Sequence, residues 1–115
     1  MPGTASLDIV NNRVKGPMFK IRFNKLAMDV LDGYTHVQMY KAKEYILIKP
    51  VATATDRNIY YINRHNSTAS INVGRLVSIG FFDRALFGKK YAVKKDRKGN
   101  LFICLNEEIK GEGNP

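Results

Sequence analysis

Two stretches of the chain concentrate cations with hardly an acid among them. Lys89, Lys90, Lys94, Lys95, Arg97 and Lys98 surround a single carboxylate, Asp96, and Tyr91 lies in their midst. Arg13, Lys15, Lys20, Arg22 and Lys25 follow one another with no acid between them. Such groups suit phosphate recognition, because each contact releases a condensed counterion and the gains add. The condition is a shared surface. Cations that do not share one merely keep strand faces and turns hydrated. The eleven residues therefore read either as a nucleic-acid or partner surface, or as two solvated strand faces and a polar turn. Contacts of the first kind would go mainly to backbone phosphates and be largely indifferent to base sequence.

Other chemistry is scarce. His36 and His65 are the only histidines, and no Cys or carboxylate stands at ligand spacing from them, so no metal site is expected. No serine sits in a nucleophile elbow and no Gly-rich loop matches a phosphate cradle. Asp29 and Asp32 are three apart in a helical pattern and read as an exposed face and a cap. Cys104 lies in the apolar run Leu101-Phe102-Ile103-Cys104-Leu105 and reads as a buried structural thiol. The expectation is a protein with no enzymatic activity and no cofactor. Tyr34, Tyr40, Tyr45, Tyr60, Tyr61 and Tyr91 could stack on unpaired bases if exposed on a sheet. Packing in the core and on the sheet competes for the same residues.

Composition narrows the class of partner. The 115 residues, 44% of them hydrophobic, are enough for one domain, 1–115, with a real core. Nineteen Lys and Arg against ten Asp and Glu leave a net charge of +9. That balance suits a polyanion: nucleic acid, or else an acidic or nucleic-acid-binding protein. No apolar run is long enough to span a bilayer, and the first residues lack a signal peptide's apolar core, so a cytoplasmic protein with no membrane partner is expected. The sequon Asn66-Ser67-Thr68 reads as a chance match in a polar turn.

The elements that must position the cations follow from periodicity. Phe19, Ile21 and Phe23 alternate with Lys20 and Arg22, which predicts a half-buried strand with its charges outwards. Asn24 is a natural N-cap for a two-turn helix carrying Leu26, Ala27, Val30 and Leu31, and Gly33 is its stop. Leu26, Val30 and Leu31 are expected in the core. Strands follow at Val37 and Met39 and at Tyr45-Ile46-Leu47-Ile48, which Lys49-Pro50 should end, with a turn at Lys41–Glu44 between them. Residues 51–58 read as a connector, Ile59–Ile62 as a strand and Asn63–Ser67 as a turn.

A similar order then returns. Ile71 and Val73 match Ile21 and Phe23, Arg75 and Leu76 match Lys25 and Leu26, and Gly80 stops a second short helix. A longer link holds Phe82, Leu86 and Phe87, expected in the core. Strands at Lys90–Lys94 and Leu101–Leu105 flank a turn at Asp96–Asn100. The fold class is α+β, mostly β: a small barrel from two strand-helix-strand-strand units, about 18–50 and 69–105, each too small to bury a core alone. The flanks, 1–12 and 106–115, read as tails, the first ordered only near Leu7.

Ile21-Arg22-Phe23-Asn24-Lys25, Val30-Leu31-Asp32-Gly33, Val37-Gln38-Met39 and Ile46-Leu47-Ile48 resemble the swapped-hairpin module of AbrB and SpoVT-type regulators. Two such units in one chain are similar to the arrangement of the MraZ branch. The chain departs from the module in having Asn24 and Gly74 where a proline usually precedes the helix, and Gly33-Tyr34 where a Gly-Asp turn usually follows it. The resemblance implies interleaved modules closing a small barrel, basic strand and loop residues contacting DNA, a regulator or accessory factor, and a homodimer as one arrangement. The chain also resembles small proteins of phages and mobile elements in Gram-positive bacteria. That likeness implies an alternative: an anti-CRISPR or other anti-defence inhibitor that binds a nucleic-acid-processing protein.

Overall fold

The computed structural model describes residues 3–12, 14, 16–52, 58–65 and 68–109. Nine strands form one antiparallel sheet: β1 (Gly3–Asn12), β2 (Gly16–Phe23), β3 (His36–Lys41), β4 (Tyr45–Val51), β5 (Tyr60–Tyr61), β6 (Asn63–His65), β7 (Thr68–Asn72), β8 (Lys89–Lys95) and β9 (Leu101–Glu108). Their order is β5-β3-β4-β9-β8-β1-β2-β7-β6. Two short helices, α1 (Lys25–Val30) and α2 (Gly74–Ser78), follow β2 and β7. The two ends of the sheet are neighbours in the chain. Tyr60 and Tyr61 pair with β3, Asn63 to His65 pair with β7, and Ile62 donates its N–H to the Thr35 carbonyl at 3.0 Å. The sheet thus curls into a nearly closed barrel, which leaves few unpaired edges.

Alternation fills the barrel. Ala5 and Leu7 of β1, Phe19, Ile21 and Phe23 of β2, Val37 and Met39 of β3, Ile46 and Ile48 of β4, Ile71 of β7, Tyr91 and Val93 of β8, and Leu101 and Ile103 of β9 are all buried. Lys20 and Arg22 face away from them, as the period of two requires. Phe82 and Phe87 are buried and Leu86 is half-buried. Among the described residues no helix is long and apolar enough to cross a membrane.

The N-terminal segment is not a tail. β1 lies between β2 and β8 and pairs with both. Its first residues, Gly3 to Ser6, are small where its neighbours are large. Ala5 stands opposite Phe23 on one side and Tyr91 on the other. Gly3 backs onto α1, where an added Cβ would come within 3.2 Å of the Ala27 Cβ. At the other end, β9 continues through Glu108 rather than fraying after Leu105, and Ile109 donates to the Lys90 carbonyl at 2.7 Å. A bulge between Tyr91 and Ala92 adjusts the register there. β4 runs through Pro50 to Val51, one residue into the expected connector. Residues 63–65, expected in a turn, form β6 instead and pair antiparallel with β7.

Asn24 caps α1 and also fastens it to β1. Its Oδ1 accepts hydrogen bonds from the N–H of Ala27 at 3.1 Å and of Thr4 at 3.0 Å, and its own N–H donates to the Thr4 carbonyl at 3.1 Å. Gly33 closes the turn after α1 at φ +85, a conformation L side chains seldom adopt. Arg64 of β6 donates to the carbonyls of Leu31 and Tyr34, so the closing segment holds the end of α1. α1 docks through Ala27 and Leu31. Leu26, expected in the core, is exposed, and Val30 is half-buried, because a helix this short presents only one narrow stripe. Asn24→Ala removes both side-chain hydrogen bonds and is expected to cost about 2 kcal/mol. Urea denaturation should show a lowered midpoint at unchanged slope.

Candidate nucleic-acid interface

The two cationic stretches meet on the outer surface of β2, β1 and β8. Ser6 of β1 is opposite Arg22 of β2 and, on its other side, opposite Lys90 of β8. Cross-strand partners share a face, so Arg22, Ser6 and Lys90 form one lateral row. A shallow cleft of about 150 Å³ opens there, lined by Arg22 and Lys90 and by the hydroxyl residues Thr4, Ser6 and Thr68. Two cations and three hydroxyls on one small concavity are a donor set for phosphate oxygens. Lys20, opposite Asp8, and Lys94, on the outer face of β8, extend the row along both strands.

The remaining residues fall elsewhere. Lys89 and Lys95 have the inward parity of Tyr91 and Val93, so they emerge at opposite ends of β8 and leave the common face. Arg97 and Lys98 lie in the turn between β8 and β9, and Lys25 lies at the start of α1. Lys95 and Arg97 line an open depression with Val30. Beside it a cleft of about 260 Å³ runs between α1 and β8, lined by Leu26, Val30, Lys94 and Lys95. Arg13 and Lys15 lie outside the described residues. The run 89–98, continuous in sequence, is therefore divided by strand geometry into a face, two ends and a turn.

Acids already touch part of the set. Arg22 Nη2 is 3.0 Å from Asp8 Oδ2, Lys94 Nζ is 2.9 Å from Glu107 Oε2, Lys25 Nζ is 3.7 Å from Asp29 Oδ1, and Lys89 Nζ is 3.8 Å from Glu108 Oε1. The hydrogen bond with Glu107 holds Lys94 above its ordinary pKa and Glu107 below its own, so both stay charged at neutral pH. Surface pairs of this kind contribute about 0–1 kcal/mol, and a phosphate can replace the carboxylate at little cost. Lys20, Lys90, Lys95, Arg97 and Lys98 make no ion pair among the described residues.

Asp96 orders the turn that presents Arg97 and Lys98. Its Oδ1 accepts from the N–H of Lys98 at 2.8 Å and of Asn100 at 2.9 Å, and its Oδ2 from Asn100 Nδ2 at 3.0 Å. The backbone hydrogen bond from Asn100, then the amide of its side chain and the N–H and charge of Lys98, hold the Asp96 carboxyl below the usual carboxylate range. A depressed carboxyl stabilises the fold above its unfolded-state pKa, and the contribution is lost as pH falls through the folded value. Asp96→Asn is expected to lower the melting temperature at neutral pH, and the gap from the parent should close on acidification below the carboxylate range.

Burial pushes the Cys104 thiol up, the opposite of what a nucleophile needs. Among the described residues no three His, Cys, Asp or Glu side chains gather as metal ligands would. Thr4 and Ser6 were hidden from sequence reasoning because their strand read as a tail. The signal was present in the alternation of Thr4 and Ser6 with Ala5 and Leu7. No protein-family model, curated protein or solved structure matches the chain.

Proposed function

We propose that this is a small basic barrel that binds nucleic acid through backbone phosphates on the outer face of β2, β1 and β8, acting in the cytoplasm as a regulator or accessory factor rather than as an enzyme. One observation carries the reading: Arg22 and Lys90, from the two cationic stretches, both stand opposite Ser6 over a hydroxyl-lined cleft. Charge alone left open whether those stretches shared a surface.

An AbrB-like, two-unit ancestry accompanies the proposal. In its favour, the order strand, helix, strand, strand occurs as β2-α1-β3-β4 and again as β7-α2-β8-β9. Equivalent strands pair with each other, β2 with β7 and β4 with β9. Ile21 and Ile71, matched by sequence, face each other directly, as residues on a two-fold axis between antiparallel repeats would. β1 pairs with β2 and β8, and the segment 60–65 pairs with their counterparts β7 and β3.

The test is a binding titration against mixed-sequence single strands and duplexes at several salt concentrations. Four cations on the face, Lys20, Arg22, Lys90 and Lys94, give an expected slope of log K against log salt of about −3. Affinity should then fall roughly fiftyfold between 50 and 200 mM salt. A slope near twice that would mean that Lys25, Lys95, Arg97 and Lys98 also engage. Absence of binding at low salt overturns the proposal and directs attention to a protein target, the anti-defence alternative.

A further inference from the structure

Beyond the cationic face, the barrel's outer surface becomes aromatic. On β3 and β4, Tyr40 is 44% and Tyr45 40% exposed, and on β5 Tyr61 is 68% exposed. Phe102 of β9 is half-buried and meets Tyr45 edge to face, with ring centroids 5.3 Å apart. Tyr61 lies against the His36 ring at 4.5 Å. Register places these groups in order. Tyr40 is opposite Leu47, Leu47 opposite Phe102, and Phe102 opposite Lys94. The next row runs from Tyr45 through Cys104 and Ala92 to Thr4, at the cleft. Sheet order then continues without a gap from β3 through β4, β9, β8 and β1 to β2. At about 4.8 Å per strand that belt is roughly 24 Å wide.

A folded core does not require this many rings on its outside. Rings scattered singly over a surface are ordinary, but rings gathered on one face mark a surface that something covers. The chemistry around them points to what does. Lys49 is exposed on β4 beside Leu47 and makes no ion pair among the described residues. Lys94 ends the first row, held by Glu107, and Lys90 and Arg22 lie beyond it. Ring faces beside cations match a polymer with flat bases on one side and phosphates on the other. In a duplex the bases are stacked on each other and cannot reach a convex sheet. In a single strand they can.

We propose that the outer face of β3, β4 and β9 is a stacking platform for unpaired bases, with Tyr40, Tyr45 and Phe102 as its rings, and that the preferred ligand is single-stranded nucleic acid. The proposal rests on the phosphate-binding reading above and adds the strandedness of the ligand. The phosphates of the same strand follow Lys49, Lys94, Lys90 and Arg22 towards the cleft.

The experiment compares three labelled probes of equal length by fluorescence anisotropy at 50 mM salt: a mixed-sequence single strand, an abasic strand with the same phosphates, and a duplex. The base-bearing strand should bind at least about fivefold more tightly than the abasic one. Tyr40→Ala and Tyr45→Ala should each remove most of that advantage and leave abasic binding unchanged, while Tyr45→Phe retains it. The chain has no tryptophan, so quenching of tyrosine emission by the base-bearing strand is a direct signal of stacking. Equal binding of base-bearing and abasic strands overturns the platform and leaves the phosphate reading standing, as does tighter binding of duplex. Binding to none of the three overturns both. The comparison of probes on the parent protein decides the matter even if an alanine variant fails to fold.

Discussion

Phe23→Ala is expected to destabilise the protein by about 3–5 kcal/mol, enough to leave a domain of this size marginal or unfolded. The reason lies in its row. Tyr91, Ala5, Phe23 and Ala69 follow one another across β8, β1, β2 and β7, large and small in turn. Phe23 has no exposed surface and fills the space that its two alanine neighbours leave. Truncation would put three alanines side by side in the barrel wall. The ladders on both sides of β2 prevent the backbone from closing the gap, so the full cavity cost should be felt. A conservative Phe23→Leu should recover more than half of the loss. Guanidinium denaturation of the parent and both variants measures the effect. A loss below about 1.5 kcal/mol for the alanine variant would show that the barrel collapses around the site and that Phe23 does not hold it open.

The same row explains why the fold was only partly legible in the sequence. β2 and α1 announce themselves locally: a period of two in Phe19, Ile21 and Phe23, then Asn24, a short helical pattern and Gly33. Every signal lies within fifteen residues. β1 does not. Gly3, Ala5 and Ser6 have the composition of a frayed end, and their size makes sense only beside Ala27, Phe23 and Tyr91, which arrive from elsewhere in the chain. Leu26 erred the other way. Its helical spacing suits a core position, but so short a helix buries one narrow stripe, and that stripe is Ala27, packed against Gly3, with Leu31. The candidate site divides similarly. Composition marks the cations, and alternation places Lys20 and Arg22 outwards. The meeting of Arg22 with Lys90 depends on β1 lying between them, so a reading that treats β1 as a tail cannot find the row. Nor can a run of six cations reveal that β8 sends Lys89 and Lys95 to opposite ends of the barrel.

Arg22→Gln with Lys90→Gln should weaken binding to a single strand about 25-fold at 0.1 M salt and lower the salt slope by about 1.4. Each lost phosphate contact on a single strand removes about 0.7 from the slope, and one decade of salt separates 0.1 M from 1 M, where counterion release no longer favours binding. The loss should be uniform across base sequences, because phosphates carry none of that information. Glutamine keeps a polar side chain, though a shorter one, and both residues are exposed, so the fold should tolerate the pair. Asp8 loses one partner but stays opposite Lys20. A matched control, Arg97→Gln with Lys98→Gln, changes the net charge equally in the turn between β8 and β9. If binding follows net charge alone, the two double variants will behave alike. If it follows the row across Ser6, the face variant will lose affinity and slope together while the turn variant loses little. Equal losses would remove the reason for placing the ligand on β2, β1 and β8.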